Sequence, residues 1–345
     1  MRILLDGRVL GHEHFSGVEN YTQNLLKQFG DGVDVAKPPS GKRNCRQIWE
    51  HTYLPWRSRH YDLLCCPANI APFHVPENTK LVLTLHDAAF KTFPQSFSRT
   101  FRRYYEWLVP RNIARADRVV TVSHASEKEI LRFFPEAEGK ITVIPPGVSS
   151  FYRPVTGVKK EKQLLCVGSV NERKNVAGVI GAFLSLPKGH GYRLVLAGNH
   201  FGNFALSERT LSALSAAKAH PDIVFVEGAD DETLRHLYNA SRCLVFPSFY
   251  EGFGLPPLEA MACGIPAIVS DVSAVPEACG EAALYCNPHD VADIAEKMRR
   301  MIEDDGLHRS LAEKGREHVR RYTWEAAAEA YRRLFSKVSD LREGE

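Results

Sequence analysis

Short apolar runs recur along the chain, and segments with a helical period separate them. Residues 2–6, 61–66, 80–85, 118–122 and 140–144 read as strands. The segment from Val18 to Phe29 places Val18, Tyr21, Leu25, Leu26 and Phe29 on one helical face. Segments 97–116 and 123–134 also read as helices, with Ser123 and Ser126 as cap-type residues before Glu127 and Glu129. Residues 31–60, with Pro38, Pro39 and Gly41 followed by Trp49, His51, Tyr53, Trp56 and Arg57, read as irregular: a folded flap or a packed crossover. Pro145-Pro146-Gly147 through Gly157 reads as a hinge. The alternation then restarts, with strands at 163–167, 192–197, 223–226, 243–246, 267–269 and 282–285. Three helices, about 290–303, 308–320 and 324–337, finish the chain. Strand–helix alternation run twice predicts an α/β protein of two Rossmann-like domains.

The sharpest single stretch runs from Val245 to Ser270. An apolar strand ends at Pro247, and a loop with Glu251, Gly252 and Gly254 follows. Pro256-Pro257 marks a helix start, because proline fits the first helical turn, and Gly264 stops that helix. Glu259 therefore falls in the first turn of a helix whose amino end points at the glycine loop. Peptide groups there favour anions, and glycines let a ligand come close to the backbone. By spacing alone, this is a polar-ligand loop of the kind many doubly wound proteins carry.

With 345 residues the chain is long for one core and suits two domains. Hydrophobic residues make up 44% and charged residues 25%, an ordinary globular balance. No apolar stretch has the length of a membrane span, and the start, Met1 to Asp6, reads as a first strand rather than a signal peptide. These features point to a cytoplasmic protein. A net charge of +3 gives nucleic-acid binding little support. The eight cysteines show no paired metal spacing and read as buried free thiols. The helix at 97–116 is the exception to the even charge. It carries Arg99, Arg102, Arg103, Arg111 and Arg115 against Glu106 alone, which suits an anionic membrane face or an anionic acceptor; a solvated basic face is the plain alternative.

Ligands of open α/β sheets sit at the carboxyl ends of the strands. Three sets of residues fall at such ends. Gly17 lies in the loop after the first strand, beside His12 and His14, which read as exposed residues or substrate contacts rather than metal ligands. His86-Asp87 follows the strand at 80–85, as a functional pair or as a histidine that satisfies a helix cap. Arg173 and Lys174 follow Gly168 in the second domain and suit a diphosphate, the arginine by directed hydrogen bonds and the lysine as a point charge. No G-x-x-x-x-G-K-[ST] and no well-formed G-x-G-x-x-G is present, which lowers the prospect of an ATPase or a dehydrogenase. No Asp-x-Asp follows a strand, so no bound metal is demanded.

Taken together, Glu251-Gly252-Phe253-Gly254-Leu255-Pro256 and Leu258-Glu259-Ala260-Met261-Ala262-Cys263-Gly264-Ile265-Pro266 resemble the retaining GT-B glycosyltransferases of family 4, bacterial mannosyltransferases of lipopolysaccharide assembly among them. Gly17 before Val18-Glu19, His86-Asp87, Val122-Ser123, Pro146-Gly147-Val148 and Arg173-Lys174-Asn175 match in order. The resemblance covers essentially the whole chain. It implies two Rossmann-like domains facing across a cleft. Residues 1–150 would bind the acceptor and 158–322 the nucleotide sugar, and the last helix, about 324–340 with Trp324 and Tyr331, would cross back to the first domain. Arg173 and Lys174 would hold the diphosphate, and Glu259 would accept from the ribose hydroxyls. Glu251, with Gly252, Phe253, Gly254 and Leu255, would grip the donor sugar, while His86 would face it near the anomeric carbon. Gly17 and Gly168 belong to the donor set, and Gly228, Ala229, Asp230 and Leu234 would line the base pocket.

The donor the resemblance favours is GDP-mannose, used without a metal. The implied acceptor is a saccharide or lipid-linked saccharide, met at the inner membrane face through the basic helix. UDP-glucose or UDP-N-acetylglucosamine transfer stays open. So do a non-hydrolysing sugar-nucleotide epimerase and a non-catalytic nucleotide-sugar binder.

Overall fold

The computed structural model describes residues 1–10, 17–39, 43–198 and 206–340. The loop candidates His12 and His14, with Gly41 and Asn199, lie outside the described residues. The chain divides into two compact units. The first comprises Met1–Lys91, Arg99–Gly147 and Tyr322 onward; the second comprises Val148–Arg321 together with Thr92–Ser98.

The first unit is built on six parallel strands: β1 (Ile3–Asp6), β2 (Asp34–Ala36), β3 (Leu63–Cys66), β4 (Lys80–Thr84), β5 (Arg118–Thr121) and β6 (Ile141–Val143). Their order in the sheet is β2-β1-β3-β4-β5-β6. β3 reads Leu-Leu-Cys-Cys and is buried at every position. That is what a parallel strand covered on both faces requires.

The second unit repeats the plan with β7 (Gln163–Val167), β8 (Arg193–Ala197), β9 (Ile223–Val226), β10 (Cys243–Phe246), β11 (Ala267–Ser270) and β12 (Leu284–Cys286). Here the order is β12-β11-β10-β7-β8-β9, again parallel throughout. Its core gathers Leu164, Val179, Ile180, Phe183, Leu194, Val245, Ile268 and Met298, all essentially inaccessible. Each such side chain contributes about 1.5–3 kcal/mol on burial.

One expectation is corrected. Residues 31–60 are not irregular: they hold β2 and a helix from Arg43 to Ser58. Pro55 lies inside that helix, near its end, where one missing N–H and the clash with the preceding turn are tolerable. Trp49, Glu50 and Leu54 are buried and hold the helix to the unit, so packing overrides the local breaker.

The final helix, Trp324–Asp340, packs on the helix Gly17–Phe29 within the first unit. The hydroxyls of Tyr21 and Tyr331 lie 2.9 Å apart, and that of Tyr331 is 2.7 Å from Thr84 Oγ1. Trp324 meets the Tyr21 ring edge-on at 5.3 Å. Gly147 makes this return possible, because a Cβ there would stand 2.2 Å from the Trp324 backbone nitrogen. Among the described residues no helix is long and apolar enough to cross a membrane.

Candidate functional site

In the second sheet β7 lies between β8 and β10, so the winding direction reverses between β7 and β10. Loops leaving two strands at such a point diverge and open a crevice. The loop after β7 carries Gly168, Arg173 and Lys174, and the loop after β10 carries Glu251 to Gly254. The structure therefore brings together the two second-domain motifs that stand far apart in sequence.

Asn175 holds the first loop against the second. Its φ of +53° puts it in the left-handed region, which asparagine tolerates. Its side-chain oxygen caps the helix Val176–Leu184 by accepting from the Gly178 N–H. Its amide donates to the carbonyls of Pro247 at 3.1 Å and Pro288 at 2.7 Å. The Phe249 N–H adds a bond to the Arg173 carbonyl at 2.8 Å.

These ties set Lys174 beside Glu251, with Nζ 2.7 Å from Oε1. The ammonium also lies 4.6 Å from the centre of the Phe246 ring. The lysine stem runs along Gly168, where a Cβ would come within 3.3 Å of it and where φ is +137°. Glu251 is only 7% exposed. Burial alone pushes its carboxyl upward, but Lys174 and then Arg173 outweigh it and hold the group below the usual carboxylate range. Glu251 is thus a buried carboxylate. Ser273 fixes its backbone, accepting from the Glu251 N–H at 3.2 Å and donating to the Glu251 carbonyl at 2.7 Å.

Gly254 has a φ of +106°, a conformation L side chains rarely adopt, and it turns the chain into the helix Leu255–Ala262. Glu259 lies on that helix and is buried. The Tyr238 hydroxyl donates to its Oε2 at 2.9 Å. Burial raises the Glu259 carboxyl from 4.5 to about 7, against the tyrosine bond, which lowers it. The two carboxylates of this loop and helix therefore differ. Glu251 is ionised by its cations, whereas Glu259 is poised near neutrality.

Of the four residues expected at a base pocket, Gly228 has a φ of +67° and Asp230 caps the helix Asp231–Ala240, accepting from the Thr233 N–H at 2.8 Å. Ala229 precedes that cap, and Leu234 is half-buried one turn into the helix. The last turn of the same helix holds Tyr238, so one helix joins the Asp230 cap to the residue that orients Glu259. Sequence reading missed Tyr238 and Ser273. Neither belongs to a motif, and only their packing against the two glutamates distinguishes them.

In the first unit, His86 follows β4. Its backbone N–H donates to Asn69 Oδ1 at 2.9 Å, and its Nε2 lies 3.0 Å from the Pro67 carbonyl. The carbonyl requires a proton on Nε2, so the neutral ring keeps Nδ1 as an acceptor. Burial lowers the His86 pKa and favours that neutral form. Asp87 serves as a local cap, accepting from the Ala89 N–H at 2.9 Å. Gly17 opens the helix Gly17–Phe29, and among the described residues no atom lies within 4 Å of where a Cβ would stand. Among the described residues no group of three or more His, Cys, Asp or Glu side chains is arranged to hold a metal ion.

Two doubly wound α/β units, one with a cation–carboxylate crevice at its switch point, have the plan of the GT-B fold. Comparisons with known proteins agree. Residues 11–150 match the family described as Glycosyltransferase Family 4, and residues 149–318 match Glycosyl transferases group 1. The chain is 31% identical to O-antigen chain mannosyltransferase B of Escherichia coli over 267 residues, 73% of this chain and 69% of that one. It is 30% identical to O-antigen chain mannosyltransferase RfbU of Salmonella typhimurium over 63% of this chain and 59% of the relative. Against the serotype-specific mannosyltransferase WbdA of Escherichia coli, it is 28% identical over 67% of its own length but spans only 30% of that protein. Among solved structures, a sucrose-phosphate synthase from Thermosynechococcus elongatus superposes with a TM-score of 0.77 at 23% identity, covering 97% of this chain and 99% of that one. Anabaena HepE, solved in complex with UDP-glucose, gives 0.75 at 17% identity over 98% and 100%. The chain belongs to this glycosyltransferase family and has its GT-B fold.

Proposed function

We propose that the protein is a retaining mannosyltransferase that moves mannose from GDP-mannose to a saccharide or lipid-linked saccharide in cell-surface polysaccharide synthesis. The observation that carries the reading is the pairing of Lys174 with buried Glu251 at the switch point of the second sheet. The diphosphate sits at Arg173 and Lys174, the donor sugar at Glu251 and the Gly252–Leu255 backbone, and the ribose at Glu259. Gly168 leaves room for the lysine stem, and Gly228 to Asp230 with Leu234 border the base. Three mannosyltransferases among the relatives support the choice of sugar.

In this reading the diphosphate leaves as Lys174 and Arg173 stabilise its charge, and positive side chains do the work a metal does elsewhere. A double displacement would need a carboxylate nucleophile beneath the anomeric carbon. Among the described residues of the crevice Glu251 is the candidate, and its ion pair with Lys174 suits it better to holding hydroxyls. The acceptor hydroxyl therefore attacks from the leaving-group side and passes its proton to the departing phosphate oxygen. Neutral His86, with Nδ1 as acceptor, contacts a sugar hydroxyl. The acceptor meets residues 1–150, and the basic helix Arg99–Arg115 rests on an anionic membrane face.

A UDP-sugar donor is the second reading, favoured by the UDP-glucose complex of Anabaena HepE. Calorimetry with GDP-mannose, UDP-glucose and UDP-N-acetylglucosamine in the presence of EDTA separates the two. Micromolar binding of GDP-mannose alone is the expected result. Preference for a UDP-sugar overturns the mannose assignment, and binding of none overturns the donor site itself.

A further inference from the structure

The winding of the first sheet also reverses, between β1 and β3. The helix Gly17–Phe29 follows β1, Pro67 and Asn69 follow β3, and His86 follows β4, so the segments around the histidine leave neighbouring strands. The main chain of His86 is tied on both sides. Its N–H donates to Asn69 Oδ1 at 2.9 Å, and its carbonyl accepts from Thr121 Oγ1 at 3.3 Å. The ring is bonded through Nε2 to the Pro67 carbonyl at 3.0 Å. Nε2 stands close to the axis of the Cβ–Cγ bond, so this hydrogen bond resists rotation of the ring only weakly, and that torsion of histidine is intrinsically broad. Nδ1 lies off the axis. Its direction is set by whatever stops the ring from turning.

Tyr21 supplies the stop. Its ring centre is 4.6 Å from that of His86, with the two planes at 88°, an edge-to-face arrangement. Tyr21 is itself 2% exposed and held from two further directions. Trp324 meets its ring edge-on at 5.3 Å. Its hydroxyl lies 2.9 Å from that of Tyr331, which in turn lies 2.7 Å from Thr84 Oγ1. Trp324 and Tyr331 come from the final helix, and every residue of this aromatic column belongs to the first unit. The motifs used for the donor include His86 but leave the column behind it unaccounted for.

We propose that Tyr21 is a positioning residue: braced by the final helix, it fixes the plane of the His86 imidazole and so aims Nδ1 at the donor sugar. The hydroxyl anchors the tyrosine, and the flat ring blocks the turn of the imidazole. Packing alone would ask only for apolar volume at position 21, which a leucine provides. The proposal rests on the assignment of His86 to the donor sugar.

The test uses the full chain with Tyr21→Leu, Tyr21→Phe, His86→Ala and the double variant Tyr21→Leu/His86→Ala. Long-range proton–nitrogen NMR reads the His86 tautomer, with His86→Ala giving the assignment. Calorimetry compares GDP-mannose with GDP and UDP-glucose with UDP, which isolates what the sugar adds. In the native protein and in Tyr21→Phe, His86 should be one neutral tautomer with its proton on Nε2; in Tyr21→Leu it should be a mixture. Tyr21→Leu should weaken the sugar nucleotide about fivefold, the scale of one neutral hydrogen bond, and leave GDP and UDP alone unchanged. Tyr21→Phe should rescue most of that loss. In the His86→Ala background Tyr21→Leu should cost nothing more, because it acts through the histidine.

Three results overturn the proposal: mixed tautomers in the native protein, which needs no variant to fold; a single Nε2–H tautomer retained in Tyr21→Leu; or an equal loss from Tyr21→Leu with and without His86. Unchanged sugar-nucleotide affinity in His86→Ala overturns the assignment of His86 instead, and a native protein that binds no nucleotide overturns the donor reading. In both of those cases the tautomer still decides whether Tyr21 fixes the ring.

Discussion

The Lys174 ammonium and the Glu251 carboxylate lie 2.7 Å apart, with 14% and 9% of their side chains exposed, although 77 residues separate them in sequence. A buried pair of this kind gains little over an apolar substitute, yet losing one partner leaves an uncompensated charge. Lys174→Met should therefore destabilise the protein by roughly 3–5 kcal/mol. Adding Glu251→Gln should restore much of that loss without restoring nucleotide affinity. Urea unfolding and calorimetry on the single and double variants check both halves. A double variant that binds nucleotide normally would remove Lys174 from the diphosphate site.

Glu259 gives stability a pH dependence of defined sign. Its carboxyl rises from 4.5 to about 7 on folding, so the native chain holds a proton that the unfolded chain releases. Stability should fall as pH rises through the window from 4.5 to about 7 and level off above it. Asp6, raised to about 7 from 3.8, acts in the same direction. Glu259→Gln should flatten part of this slope in urea midpoints taken across the window. If Glu259 accepts from ribose hydroxyls, nucleotide affinity in the native protein should rise through pH 7, because a charged acceptor bonds more strongly, and the Gln variant should lose that rise.

Gly198, just past β8, has no room for a side chain. A Cβ there would stand 1.9 Å from the Gly168 carbonyl oxygen, a backbone atom that cannot swing away. Gly198→Ala must push apart the ends of β7 and β8 and displace the floor under Lys174. We expect a loss of about 1–3 kcal/mol, in the range of overpacked interiors, together with weaker nucleotide binding. Unchanged affinity in a destabilised variant would show that the crevice tolerates this shift.

Tyr331→Phe removes one hydroxyl that two buried hydroxyls, those of Tyr21 and Thr84, bond in the native protein. Leaving buried polar groups unpaired costs about 1–3 kcal/mol. Thermal unfolding should record that loss. Tyr331 and its two hydroxyl partners all belong to the first unit, so nucleotide affinity should hold.

Local pattern alone determined much of this molecule. Apolar runs in β3 or β10 and the helical period of Val18–Phe29 depend on neighbours two to four residues away, so the alternation and the two-domain plan were legible. So was the glycine loop, because Gly254 needs a backbone conformation that few other residues adopt. The helix Arg43–Ser58 was not, since Pro55 argues against it locally and only the burial of Trp49 and Leu54 decides for it. Tertiary structure alone decided the strand orders, and with them the two switch points. It also decided the partners of each glutamate. Burial beside Tyr238 raises Glu259, and cations hold Glu251 down, because charge and solvation depend on atoms brought close by folding rather than on sequence neighbours.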